Sequence, residues 1–153
     1  MVCSPFRTIF ALMMVTCSLG ACSPASQLKE QPEEIRIARS GDGHFYTDAS
    51  VNGKDVRFMI DTGASEVVLT PDDARAAGVP LEPDQNRALG DGASGIVIGQ
   101  TALVKSLTLG TFNKADAEVA VVPGATVSLL GQSFLSQIDE IVIRRDEMLL
   151  RSR

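Results

Sequence analysis

Beyond residue 22 the chain contains no cysteine, and that absence removes several chemistries at once. The three cysteines are Cys3, Cys17 and Cys22. The rest of the chain can form no disulfide, so its stability must come from burial alone. A cysteine nucleophile and a cysteine-based metal site fall to the same count. Histidine is scarcer still: His44 is the only one. Most histidine-based catalysis and the usual zinc sites therefore lack their groups, and a lone histidine on a strand is given no role. No metal and no cofactor is expected. Positive charge is also short, with 14 Lys and Arg against 19 Asp and Glu and a net charge of −5. This balance argues against nucleic acid and against adhesion to anionic lipid headgroups. No internal repeat is visible. No apolar run reaches the roughly 20 residues that a membrane-spanning helix needs.

What is present begins with a leader. Residues 1–7 carry one positive charge, Arg7, and residues 9–19 form an apolar stretch ending in small residues. Its length fits the apolar core of a secretory signal. Leu19-Gly20-Ala21-Cys22 resembles a bacterial lipobox, which implies cleavage before Cys22 and a lipid on its sulfur. An ordinary signal peptide with an incidental Cys22 also fits. Acyl chains on Cys22 would hold the protein at a membrane surface without a spanning helix. Ser23 stands where an aspartate would mark inner-membrane retention, which points to the outer membrane. The expected division is a signal peptide over residues 1–21, a lipid-anchored flexible tether over 22–42, and one folded domain over 43–153. The location is the cell envelope, with the domain facing the periplasm. The tether is polar and holds Pro24 and Pro32, as a spacer would. Within it Ile35-Arg36-Ile37 alternates, and is expected to form a short strand only when a partner is present.

From Gly43 onward the pattern is mostly β. Phe45, Thr47, Ala49 and Val51 alternate along one face, Asn52-Gly53 is the pair favoured in a two-residue type I′ turn, and Val56, Phe58 and Ile60 continue the alternation. Val67-Val68-Leu69 is a short apolar run. Thr70-Pro71-Asp72-Asp73 starts a helix with a hydroxyl cap, an early proline and acids at the positive dipole end. Gly78 and Pro80 stop it. Further alternating stretches fall at residues 96–99, 103–109 and 117–121. The chain closes with Ile141-Val142-Ile143, the charged turn Arg144-Arg145-Asp146, and Met148-Leu149-Leu150. Short strands, Gly-rich turns and one or two short helices predict a compact barrel or sandwich.

The chemistry is concentrated in Phe58-Met59-Ile60-Asp61-Thr62-Gly63-Ala64-Ser65. An Asp-Thr-Gly after a strand also fits a turn aspartate closing a β-loop, and Leu129-Leu130-Gly131 alone fits an ordinary buried strand end. In combination, and in this order, the two motifs resemble the retropepsin-like aspartic proteases, above all the single-domain bacterial relatives of the retroviral enzymes. The resemblance covers residues 43–150. It implies a closed acid-protease β-barrel with one lobe per chain. It also implies catalysis by Asp61, and a second motif, Leu129, Leu130 and Gly131, crossing behind the Asp61 loop. Gly90-Asp91-Gly92-Ala93-Ser94-Gly95, lying between apolar segments, becomes the flap that closes over substrate. A plain surface hairpin fits those six residues as well.

The local chemistry agrees with that implication. A strand rich in apolar residues sets Asp61 at a partly dry, rigid position. Gly63, lacking a Cβ, lets other groups approach closely, and Ser65 can donate a hydrogen bond to the Asp61 carboxylate. By the resemblance, Thr62 bonds across to a partner's loop, and Ala64 completes the loop. Only one Asp-Thr-Gly is present, whereas peptide hydrolysis of this type needs two carboxylates. Two copies of Asp61 must therefore meet at a two-fold axis, making a homodimer acting on peptide or protein substrates. Two such carboxylates a few ångströms apart share one proton. Asp72, Asp73 and Asp84 lie in helix-start or loop contexts where acids are common for local reasons, and are set aside. The competing reading is a non-catalytic peptide-binding lipoprotein on the same fold.

Overall fold

The computed structural model describes residues 34–82, 85–92 and 95–152. Residues 1–33, with Cys22 and most of the expected tether, lie outside this set, as do Asp84 and the flap residues Ala93 and Ser94. Among the described residues no helix is long and apolar enough to cross a membrane.

The predicted hairpin is present. Strand β2 (Tyr46–Val51) pairs antiparallel with β3 (Lys54–Ile60), from Tyr46↔Met59 to Val51↔Lys54. Asn52 and Gly53 turn the corner at φ 52° and 83°. These left-handed values are open to Gly and tolerated by Asn, which is why the pair suits this turn. The Asn52 side chain is also used: its Nδ2 donates to the Ala77 carbonyl (3.0 Å), and its Oδ1 accepts from the amide of Lys105 (2.8 Å). Inward residues of the hairpin, Ala49, Val51, Val56, Phe58 and Ile60, are buried.

A ring is built on β3. Its free edge takes β8 (Ser128–Leu130) in parallel, with Phe58↔Ser128 and Ile60↔Leu130. β8 then meets β4 (Val67–Leu69) at Val68↔Leu129, and β4 runs parallel to β7 (Phe112–Val121). β7 pairs along β6 (Gly95–Leu109), and β6 returns to β2 through Ser50↔Thr108 and Val51↔Leu107. The ring of six strands is thereby closed, leaving none of its own edges unpaired. Phe58, Val67, Leu69, Leu107, Val119 and Leu130 fill it. Strand β5 (Arg87–Gly92) pairs only with the first part of β6 and projects from the ring as a hairpin arm.

Two expectations differ from what is observed. The stretches 96–99 and 103–109 are one fifteen-residue strand rather than two. Gly99 reads as a break in the sequence, but it serves close approach: a Cβ there would lie 2.4 Å from the Val121 carbonyl oxygen. The second difference concerns Ile35-Arg36-Ile37. Strand β1 (Glu34–Ala38) needs no partner molecule, for it pairs antiparallel with β10 (Glu147–Arg151) of the same chain, which in turn pairs with β9 (Glu140–Ile143). The long-range partner is invisible in a local pattern. Charges line this sheet, with Arg151 reaching Glu34 (2.6 Å) and Glu140 (2.8 Å). The hydrogen bond from Arg151 holds the Glu34 carboxyl below its ordinary range against an opposing cost of burial, and the charge of Arg36 adds to the lowering. Arg39 ties the sheet to the barrel, its guanidinium lying 4.3 Å above the Phe45 ring and donating to the carbonyls of Gly43, Arg144 and Arg145.

Helix α1 (Pro71–Ala76) starts as the sequence predicts. Thr70 caps it, accepting from the Asp73 amide (3.1 Å) while its hydroxyl donates to Asp73 Oδ2 (2.9 Å). Ser128, 1 % exposed, donates to the same Asp73 oxygen (2.6 Å) and accepts from the Thr70 amide (3.0 Å). This closed set of bonds joins α1 to β8. Helix α2 (Gln132–Leu135) follows β8 directly and buries Phe134 and Leu135.

Candidate active site

The loop at residues 61–66 is held from behind by the segment that comes after β8. The Asp61 amide donates to the Leu130 carbonyl (3.1 Å), the Gln132 amide to that of Ala64 (2.8 Å), and the Ser133 amide to that of Ser65 (2.8 Å). The Gln132 side chain reaches the Thr62 carbonyl (3.0 Å), and Ser133 Oγ accepts from the Val67 amide (3.1 Å). Lys114 Nζ donates in turn to the Ser133 carbonyl. Gly131 makes this close packing possible. A Cβ on it would fall 2.0 Å from the Glu66 carbonyl oxygen and 2.8 Å from that of Ala64. The strand therefore can pass behind the loop only as glycine. Leu130 is buried in the core beside it, and Leu129 faces the front.

These backbone bonds fix Asp61 while leaving its carboxylate half-buried and turned toward a groove. Its Oδ1 accepts from the Gly63 amide at 2.9 Å. The donor is thus the Gly63 backbone rather than the Ser65 hydroxyl. Gly63 matters for its own reason too, since a Cβ would come 3.2 Å from that same oxygen. Thr62 is exposed at the tip of the loop.

The groove in front of Asp61 measures about 560 Å³. Gly63, Ala64, Ser65 and Glu66 border it on the loop side, and Gly90, Asp91 and Gly92 on the hairpin side. Described residues of the two segments singled out for a loop and a flap thus border one cleft. β5 and β6 converge toward Gly92 and Gly95, and Gly90 takes φ 159° beside a register shift between Ala88 and Gly90. Apolar residues complete the walls: Val68, Ala120, Val122 and Leu129 from the barrel, Leu89 and Val97 from the hairpin. The sequence pattern pointed to none of these as groove residues, nor to Glu66. Glu66 simply comes next after the loop, Leu129 reads as part of the motif behind it, Val68 as a short apolar run, and Val97 and Ala120 as strand alternation. Of the acids set aside, Asp72 pairs with Arg75 (2.7 Å) and Asp73 belongs to the α1 cap. Among the described residues no cluster of three or more His, Cys, Asp or Glu is placed to hold a metal ion.

This arrangement can present the Asp61 carboxylate, held by the Gly63 amide, to an extended ligand threaded between loop and hairpin. Comparison with known proteins agrees with that geometry. Residues 47–137 match the family described as "gag-polyprotein putative aspartyl protease". An uncharacterized protein from Rickettsia prowazekii (strain Madrid E) is 35% identical over 133 residues, covering 86% of this chain and 57% of the relative. An uncharacterized Sinorhizobium protein is 33% identical over 126 residues, covering 80% and 53%. The chain thus spans about half the length of these curated relatives. Among solved structures it is similar to a retropepsin-like aspartic protease from Rickettsia conorii, with a TM-score of 0.65 and 31% identity over 79% of this chain and 91% of that one. It also shares its fold with the EIAV protease complexed with the inhibitor HBY-793, with a TM-score of 0.52 and 19% identity over 65% and 91%. The paired motifs, the closed barrel and the matched relatives agree, and the chain belongs to the retropepsin-like aspartic protease family.

Proposed function

We propose that the chain is an aspartic endopeptidase that works as a homodimer, hydrolysing peptide bonds through a water activated between two copies of Asp61. The observation that carries this reading is the single Asp61 carboxylate, clamped from behind by Gly131 and facing a groove walled by a hairpin. One chain supplies half of the required pair. Thr62 is exposed at the tip of the loop, which supports its meeting a second loop about a two-fold axis. In the pair one proton is shared. The ionised carboxylate takes a proton from water, and the neutral one donates to the scissile carbonyl oxygen as the water oxygen bonds to its carbon. The Gly63 amide keeps the carboxylate oriented throughout. The hairpin closes over an extended substrate and excludes solvent.

The decisive experiment compares the chain with Asp61→Asn on a mixed peptide library, with the oligomeric state sized in parallel. Cleavage by the wild-type dimer and none by the variant is expected. A well-formed dimer that binds peptides and never cuts them would replace the endopeptidase by a peptide-binding module on the same fold. The proposal extends to the leader: lipidation at Cys22 tethers the domain at the periplasmic side of the envelope, at the outer membrane. Metabolic labelling with palmitate should mark the wild type and not Cys22→Ser; equal labelling would overturn the anchor.

A further inference from the structure

The charge of the groove is one-sided. Asp61, Glu66 and Asp91 border it, on the loop and on the hairpin, and among the described residues no lysine or arginine does. Asp61 is engaged by the Gly63 amide, whereas the carboxylates of Glu66 and Asp91 have no hydrogen bond or ion pair among the described residues. Away from the groove, Arg36, Arg144 and Arg151 pair with carboxylates of the three-stranded sheet, Arg39 with carbonyls, and Arg87 with Thr101 Oγ1. The remaining wall is apolar, with Val68, Ala120 and Leu129 facing Leu89 and Val97.

A cleft with apolar walls and carboxylates of one sign concentrates cationic ligands and rejects anionic ones. An extended peptide presents successive side chains to opposite walls. Glu66 on the loop side and Asp91 on the hairpin side can therefore each meet a side chain next to the one held by the apolar wall. A two-fold copy would repeat both acids beyond the cut. Resting on the endopeptidase reading above, we infer that the groove selects peptides with an apolar residue at the cut and Lys or Arg within two residues of it. Glu66 and Asp91 are the residues that set this preference, and Asp or Glu at the same peptide positions is disfavoured.

The test uses three peptides of one length sharing an apolar centre, flanked by Lys, by Gln or by Glu. Binding to Asp61→Asn is read by fluorescence anisotropy, and cleavage by the wild type is read as kcat/KM. Each exposed ion pair contributes roughly two- to fivefold, so the Lys peptide should exceed the Gln peptide by that factor per carboxylate, with the Glu peptide weakest. The difference should shrink as salt is raised. Glu66→Gln with Asp91→Asn should bring the three peptides to parity. Equal binding of all three by the starting protein, or a Lys preference that survives the double substitution, would overturn the inference. Binding with the expected order but no cleavage would uphold the charge selection and remove the endopeptidase instead.

Discussion

At the scale of single residues, space decides more than chemistry. Gly131 has no unusual backbone angle (its φ is −94°), yet a Cβ there meets backbone oxygens at 2.0 and 2.8 Å, and neither can move without dragging the Asp61 loop. Gly131→Ala should destabilise the protein by about 3 kcal/mol or prevent folding. Gly124→Ala, whose Cβ would meet nothing within 4 Å, should stay within about 0.5 kcal/mol of wild type. Urea titration of both variants checks the contrast, and equal midpoints would refute it. The glycine and the aspartate were legible from the sequence because the two motifs occur together in order. The partner of the Asp61 carboxylate was not, because a backbone amide and a serine hydroxyl two residues apart compete for the same oxygen. Only the folded loop decides between them, in favour of Gly63.

At the scale of elements, α1 and the three-stranded sheet each carry a prediction. Ser128→Ala removes the hydroxyl that joins the helix cap to β8 and leaves the Thr70 amide without its acceptor. A buried polar group left unpaired costs about 1–3 kcal/mol, so thermal melting should shift accordingly; an unchanged melt would show that the cap stands alone. The sheet responds to acid. Arg151, with Arg36, holds the Glu34 carboxyl below the ordinary value of 4.5. Its contribution is therefore complete above that pH and is lost as pH falls through the lowered value. Melting temperatures of wild type and Glu34→Gln should differ near neutral pH and converge as the pH is taken below the lowered value. A gap that persists in acid would refute the linkage. Elements with local signals could be read in advance: the Asn52-Gly53 turn and the Thr70 cap are written in adjacent residues. The pairing of β1 with β10 and the continuity of β6 were hidden. The first depends on a strand far away in sequence, and for the second Gly99 gives the same local signal whether it ends a strand or lets one pass close to Val121.

At the scale of the whole molecule, the proposed dimer makes concentration a variable of activity. If two chains complete one site, the rate per chain should rise with protein concentration and saturate once pairing is complete; a rate per chain that is constant on deep dilution of a protein sized as a monomer would exclude the paired site. The shared proton predicts activity that rises below neutral pH and fades in base. A pH–rate profile climbing steadily to about pH 9 would exclude that proton. The threading of β8 between β3 and β4 bears on time as well as on shape. Gln132 lies 70 residues downstream of the Thr62 carbonyl it holds, so the wall behind Asp61 is absent while the chain is still being synthesised past its own Asp-Thr-Gly. Contacts of such long range form late in folding. A nascent chain halted before Ser128 would carry Asp61 yet lack β8 and the bonds by which residues 130–133 brace the loop, so a ribosome-bound intermediate would have no assembled groove.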